Sequence, residues 1–487
     1  MQKISINPIT RLEGHGKIDI FLDEAGNVAN AYLVVPELRG FEKFCEGRPV
    51  EELPRITPRI CGVCPEAHHV ASAKACDAVY HVEVPPAGKK LRELFYSAFY
   101  VADHATHFYI LGGPDFVMGP DAPLAERNIL GVIHKVGLEI GLKVIQSRGK
   151  AMEIIKMLGG KSVHPICAIP GGMSKAINEE ERRQIEAWAR DLVEFGQFTL
   201  KLLGDVVLAN PQYVDLIVNG PYTHRMYYMG LVDGQNRVNF YDGKVRVVDP
   251  DGVELVKYAP EEYLDNVAEK VVPWSYLKFP YLKKVGWKGF VTGKDSGVYM
   301  ATPLSRLNAA DGMATPLAQE HYERFYDTLG GKPVHHTLAT HWARCIELLY
   351  AAERLLELAT DPEITDPVVR VIPTEKPTEG VGIVEAPRGT LTHHYITDEK
   401  GIVQKVNLIV GTTNNYAPIA ISIRDAAKGL IKGGKVNDGL LNMVEMAFRS
   451  YDPCLGCATH TLPGRMPLEV VIHGPEGEEI QRLMRNM

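Results

Sequence analysis

Apolar residues recur every three or four positions through four long stretches of this chain, and each stretch predicts a helix. Residues 89–113, KKLRELFYSAFYVADHATHFYILGG, carry the pattern and stop at a Gly-Gly pair. Residues 133–160, 178–208 and 336–359 repeat it. The stretch 178–208 opens on Asn178, whose side chain suits a helix N-cap, followed by acidic residues that complement the helix dipole. Two shorter helical patterns, ISIRDAAKGLIKGG and GLLNMVEMAFRSY, lie near the C-terminus. Alternation marks strands in GKIDIFLD and NVANAYLVV, separated by the turn EAGN. Residues 389–410 read as two strands around a Glu-Lys-Gly turn, and VNFYDGKVRVV (238–248) as a hairpin across Asp-Gly. Residues 210–300 are richer in Gly and Tyr and predict an irregular α/β insertion, and 361–380 a proline-rich crossing. The fold class is therefore α+β and predominantly α, a large central helical bundle with mixed β-strands around it. No clean linker divides it, so residues 1–460 are expected to form one intertwined domain whose ends meet.

Composition narrows the function. The chain has 487 residues, 45% apolar and 23% charged, with a net charge of −7, as expected of a soluble globular protein. No basic stripe appears, which argues against nucleic acid. No apolar run of about 18 residues is present, so no membrane span is expected. The N-terminus, MQKISINPITRLEGHG, lacks the basic and apolar regions of a signal peptide. These features place the chain in the cytoplasm unless a partner carries an export signal.

The eight cysteines are too sparse for a disulfide-stapled fold. Cys45, Cys76, Cys167 and Cys345 stand alone and read as buried small hydrophobes. The other four form two C-x-x-C pairs at opposite ends of the chain, Cys61 with Cys64 and Cys454 with Cys457. At that spacing one turn points both sulfurs the same way. A structural zinc site usually has its pairs about 15–20 residues apart, far closer than these. A thiol–disulfide motif needs one pair beside a βαβ unit, and neither pair has that setting. A single site using all four sulfurs would take zinc, Cu(I), an iron–sulfur cluster or thiolate-bound nickel.

The flanking residues are long and specific. The first pair reads Arg59-x-Cys61-Gly62-x-Cys64-x-x-x-His68, and the second Asp452-Pro453-Cys454-x-x-Cys457-x-x-His460. Together they resemble the signature of the large, catalytic subunit of nickel–iron hydrogenases. ITRLEGHG (9–16), RGFE (39–42), GGPDFV (112–117), HPICAIPGG (164–172), EAPRG (385–389) and VNLIVGTTNN (406–415) also have counterparts in that family. The resemblance covers nearly the whole chain apart from a variable middle. GTTNN and the modest length are closer to the cytoplasmic, multimeric enzymes than to the respiratory membrane-bound ones.

The resemblance implies an α+β hydrogenase large-subunit fold and reversible heterolytic cleavage of H2. All four cysteines would bind nickel, Cys61 and Cys454 as terminal ligands. Cys64 and Cys457 would bridge to an iron carrying carbon monoxide and cyanide. Glu13 would pass the proton away from a terminal cysteine, Cys454. Arg388 would stand over the open metal position, fixed by Asp115 and Asp452, and His68 would hydrogen-bond a bridging sulfur. Pro387 and Thr412 would line the diatomic ligands, Thr412 as a donor to cyanide. Glu42, His460 and the carbonyl of Leu408 would hold a Mg²⁺ or Fe²⁺ near the C-terminus.

The family usually loses its C-terminus just after the His of the second motif, here His460. That would make 461–487 a removable extension, although LEVVI and EIQRL around HGPEGE read as a hairpin. The implied partners are a small subunit with iron–sulfur clusters, further electron-transfer subunits, a maturation protease and nickel-insertion chaperones. The chain has no spare cysteine set for a cluster and no strand-borne G-x-G-x-x-G, so its electrons must leave through such a partner. Candidates for the acceptor are a nicotinamide, a deazaflavin, ferredoxin or a disulfide reductase. Two rivals stand beside this reading. One is a structural or quinone-handling respiratory-complex subunit, of shared ancestry but without the nickel cysteines. The other is a protein whose termini are stapled by zinc.

Overall fold

The computed structural model describes residues 2–272, 275–459, 468–473 and 479–485. The chain opens with an antiparallel sheet of β1 (Gln2–Ile6), β2 (Lys17–Leu22) and β3 (Val28–Val34). The β2–β3 turn falls at EAGN as the alternation predicts, with Asp23 and Asn27 closing it backbone to backbone. A short helix α1 (Phe41–Cys45) follows, and then α2 (Pro65–Val79).

Helix α3 (Pro86–Thr106) runs on through a π-turn, His107–Gly112, into the single turn Gly113–Val117. The stretch expected as one helix over 133–160 is two. Ile129–Val136 ends at Gly137, whose φ of 96° breaks it, and α4 (Leu138–Gly159) starts again beyond. Helix α5 (Glu179–Leu203) begins with the expected cap: the Asn178 side chain accepts from Glu180 and Glu181 amides, and Glu181 reaches back to the Asn178 amide.

The middle segment is a four-stranded sheet in which β4 (Tyr227–Val232), β5 (Lys244–Val248) and β6 (Glu254–Tyr258) run antiparallel and the two residues Tyr299–Met300 pair parallel with β4. Here the expected hairpin across Asp242-Gly243 does not form. β5 pairs with β4 and β6, and the tight turn lies earlier, where Asp233 caps the amides of Gln235 and Arg237. Cross-strand pairing with a distant apolar strand outweighs the local turn signal.

Helix α6 (Pro303–Ala309) and the long α7 (Thr340–Thr360) complete the bundle, with α7 packed against α3 and α5. An antiparallel sheet of β7 (Glu379–Ala386), β8 (Gly389–Thr397) and β9 (Val403–Ile409) covers α2. Its last two strands fall where the alternation in 389–410 places them. Helices α8 (Tyr416–Leu430) and α9 (Asp438–Arg449) lead to the second cysteine pair. Beyond it, β10 (Leu468–His473) pairs with β11 (Glu479–Arg485), the hairpin read from the sequence.

The largest apolar core runs from Cys45 to Cys457 and draws on helices from both halves of the chain. No helix among the described residues is long and apolar enough to cross a membrane.

Candidate metal centre

The two C-x-x-C segments converge in the core. A short turn, Thr57–Ile60, delivers Cys61, and Cys64 stands just before Pro65, the first residue of α2. Proline is well tolerated there because that N–H has no helical partner anyway. Cys454 precedes the single turn Leu455–Ala458, which contains Cys457. The chain enters this turn through Asp452 at φ 53°, a left-handed conformation that Asp tolerates better than most residues.

The sulfurs of Cys61 and Cys454 are 3.4 Å apart, those of Cys64 and Cys457 3.6 Å, and those of Cys454 and Cys457 2.9 Å. All four are buried and lie within 4.8 Å of one another. Burial and crowding by the other sulfurs hold the Cys454 thiol well above its ordinary pKa, and burial does the same for Cys457. Cys61 goes the other way. Its burial is outweighed by hydrogen bonds from the other three thiols, which pull it well below the ordinary value. Buried and crowded like this, the sulfurs cannot all ionise on their own. A soft cation would let the remaining thiols ionise, and the donor set fits thiolate-bound nickel.

Glu13 is built into the same loop. It bridges Cys454 in parallel fashion, and its carbonyl accepts from Leu455 N at 3.0 Å. Its Oε2 accepts from Cys454 Sγ at 3.0 Å and from Gly456 N at 3.0 Å. Burial, then the nearby Cys61 charge, raises the Glu13 carboxyl above its usual range. A Cβ at Gly456 would stand 2.8 Å from Glu13 Oε1 and 3.3 Å from Glu37 Oε2, so glycine lets the two carboxylates face each other. Glu37 Oε1 lies 2.6 Å from Nδ1 of the exposed His15.

Arg388 occupies the tight turn between β7 and β8. Its Nη1 donates to Asp103 Oδ2 at 3.0 Å, and its Nη2 lies 3.1 Å from Asp452 Oδ2. Asp452 is therefore placed as expected, but Asp115 is not its companion. The π-turn at His107–Gly112 rotates Asp115 towards α9, where it pairs with Arg449 Nη1 at 3.0 Å, with Arg11 and with Asn442. Asp103, one helical segment earlier, takes its place. It reads in the sequence as one polar position in an apolar helix, whereas Asp115 stands out in a motif. Arg344, 3.6 Å from Asp452, and His107, 3.8 Å from it, complete the surroundings and carry no signal in the sequence either.

His68 also differs from expectation. Its Nδ1 is 3.1 Å from His393 Nε2, and His393 Nδ1 is 2.6 Å from the Tyr395 hydroxyl, which donates to Ser72. The buried Nε2 of His68 bonds none of the described residues, so the predicted bond to a bridging sulfur is not made. Its other nitrogen is taken up by the second buried ring, that of His393. Thr412 Oγ1 accepts from Cys454 N at 3.0 Å, which leaves its proton for another acceptor. The Pro387 carbonyl accepts from Arg306. Glu42 lies on α1, which packs against β9, the strand that carries Leu408. Arg39 links Glu42 to the Cys457 carbonyl. His460 lies outside the described residues.

Residues 39–129 and 294–460 match the family described as nickel-dependent hydrogenase, and residues 3–38 the one described as HoxL-like. The chain belongs to the nickel-dependent hydrogenases. It is 52% identical over 484 residues to an iron-sulfur subunit of the F420-non-reducing hydrogenase of Archaeoglobus profundus, covering 99% of both chains. It is 38% identical over 499 residues to the NAD-reducing hydrogenase HoxS subunit beta of Cupriavidus necator, covering 99% of this chain and 100% of that one. Among solved structures, an NAD+-reducing [NiFe]-hydrogenase in the H2-reduced state superposes with a TM-score of 0.89 at 36% identity, over 94% of this chain and all of the other. The Ni-Fe-Se hydrogenase of Desulfovibrio vulgaris Hildenborough shares the fold, with a TM-score of 0.75 at 23% identity over 94% of this chain and 100% of that one.

The chain is thus a hydrogenase, the catalytic large subunit of a nickel–iron enzyme, with the α+β fold expected. Neither the quinone-handling nor the zinc-stapled alternative fits those relatives. The buried four-cysteine cluster suits the family's nickel–iron centre.

Proposed function

We propose that this hydrogenase splits H2 heterolytically between the four-cysteine centre and Glu13, and passes its electrons to an iron–sulfur small subunit. The observation that carries the reading is a carboxylate held 3.0 Å from one sulfur of a buried four-sulfur cluster. Cys61 and Cys454 would hold nickel alone, and Cys64 and Cys457 would share it with an iron bearing carbon monoxide and cyanide. The metals, when bound, supply the site at which H2 is polarised and the redox change that accepts its electrons.

The protein's own part is proton handling and exclusion of water. Cys454 Sγ holds the proton, and Glu13, its carboxyl raised by burial and held 3.0 Å from that sulfur, is the base next to it. Glu37 and His15 then lead towards solvent. Arg388 keeps a fixed positive charge over the cluster, since its two carboxylate partners outweigh the effect of burial. Pro387 and Thr412 would line the diatomic ligands. Glu42, the Leu408 carbonyl and His460 would hold Mg²⁺ or Fe²⁺, and Arg39 would tie that site to Cys457.

Removal of 461–487 by a maturation protease, after nickel insertion by chaperones, would complete the centre. The cytoplasm is the compartment this reading favours. Metal analysis of the anaerobically purified complex, with the intact mass of this chain, tests it. Nickel and iron near one each on this subunit, once the iron of the small subunit's clusters is subtracted, with a chain ending at His460, are expected. Zinc without nickel in a full-length, H2-inactive chain would refute it.

A further inference from the structure

A wholly buried ionic network stands behind Arg388. Its hub is Arg306 on α6. Arg306 Nε and Nη2 each lie 2.6 Å from a carboxylate oxygen of Glu347. Nη1 donates to Glu385 Oε2 at 3.1 Å and to the Ala386 carbonyl at 3.0 Å, and Nη2 to the Pro387 carbonyl at 3.1 Å. One guanidinium therefore touches all three residues that immediately precede Arg388.

Glu385 is pinned in turn by Leu231 N at 2.7 Å and Thr390 Oγ1 at 2.9 Å, and its carbonyl accepts the Tyr100 hydroxyl at 2.8 Å. On the other side, Glu347 Oε2 lies 2.9 Å from His104 Nε2. Burial pushes His104 down to about 4, so a neutral ring donates that bond. His104 is the neighbour of Asp103, whose carboxylate grips the Arg388 guanidinium.

We propose that Arg306 is the positioning residue for Arg388, holding the β7–β8 turn through two carbonyls and helix α3 through Glu347 and His104. The inference rests on the role given to Arg388 above. Such a role needs a planar fork, because the five acceptors lie on different sides of the guanidinium. A lysine ammonium keeps the charge but concentrates its three donors at one point and cannot span them. A residue needed only for charge balance would tolerate that change.

The test uses the assembled holoenzyme carrying R306K, R388K or both. H2-dependent dye reduction is followed across H2 concentration, with nickel content and backbone hydrogen exchange of residues 383–392. R306K is expected to keep nickel, to lower kcat by about tenfold or more at unchanged KM for H2, and to speed exchange in that segment. The double variant is expected to be no slower than R388K alone, since the effect passes through Arg388. Independent, multiplying losses, or R306K turning over at the parental rate, would overturn the proposal. If R306K does not accumulate as nickel-loaded protein, E347Q, which keeps the guanidinium but removes one acceptor of its fork, goes through the same cycle with the same expectations. R388K at full activity would sink the reading of Arg388 and this inference together. A slow R388K beside a fast R306K would sink the inference alone.

Discussion

Glu13 Oε2 lies 3.0 Å from Cys454 Sγ although the two residues stand 441 positions apart. The contact is held by backbone as well as side chain, since Leu455 N and Gly456 N both donate to Glu13. Glutamine at position 13 keeps the shape and can still accept the Gly456 amide, but it cannot take a proton. E13Q is expected to retain nickel and to lose roughly 10²–10⁴-fold in H2/D⁺ exchange and dye reduction, the usual worth of a general base. Exchange at the parental rate would remove Glu13 from the proton route.

Much of this site is written locally. The cysteine pairs are legible because C-x-x-C aims two sulfurs one way, and the long helices because their apolar period is uninterrupted. Asn178 caps α5 as its sequence context demands. The differences arise where distant structure decides. VNFYDGKVRVV forms no hairpin because β5 finds a longer apolar partner in β4. Asp115 turns away from Arg388 because a π-turn, invisible in the periodicity, rotates everything after His107. Arg306, Arg344 and Asp103 escape a reading of the sequence for one reason: a charge in an apolar helix shows its importance only when its buried partner is known.

Asp103 supplies the second prediction. D103N leaves Asp452 to hold Arg388 but removes the charge from the other side of the guanidinium. The arginine should tilt by a fraction of its reach, and displacements of that size cost on the order of 10²-fold in rate. Nickel content should be unchanged. Normal turnover by D103N with intact nickel would show that Arg388 needs only one anchor.

Asp115 is expected to behave differently, as a stability residue. Burial alone would raise its carboxyl, but the guanidinium groups of Arg449 and Arg11 outweigh it and hold the pKa below the ordinary value. A carboxyl depressed in the fold contributes stability above its unfolded pKa of about 3.9. That contribution fades as the pH falls through the folded value. D115N leaves the buried Arg449 and the partly buried Arg11 short of a counter-charge and should cost about 3 kcal/mol at neutral pH. Denaturant unfolding of the purified protein would read it. The loss should shrink as the pH is taken below 4, and an undiminished loss in acid would contradict the ion-pair account.

The two cysteine loops each carry a glycine, and they are expected to respond oppositely to alanine. At Gly62 an added Cβ meets nothing within 4 Å, and the residue does not have a positive φ. G62A should therefore keep parental turnover. At Gly456 the added Cβ would stand 2.8 Å from Glu13 Oε1, closer than carbon and oxygen tolerate, and 3.3 Å from Glu37 Oε2. The carboxylate of Glu13 has to yield, because the Cβ is fixed to a loop that the sulfurs themselves hold. G456A should bind nickel yet lose on the order of 10²-fold in H2/D⁺ exchange, the cost of about 1 Å of misplacement. Should G456A exchange as fast as G62A, the approach of the two carboxylates would have no part in moving the proton.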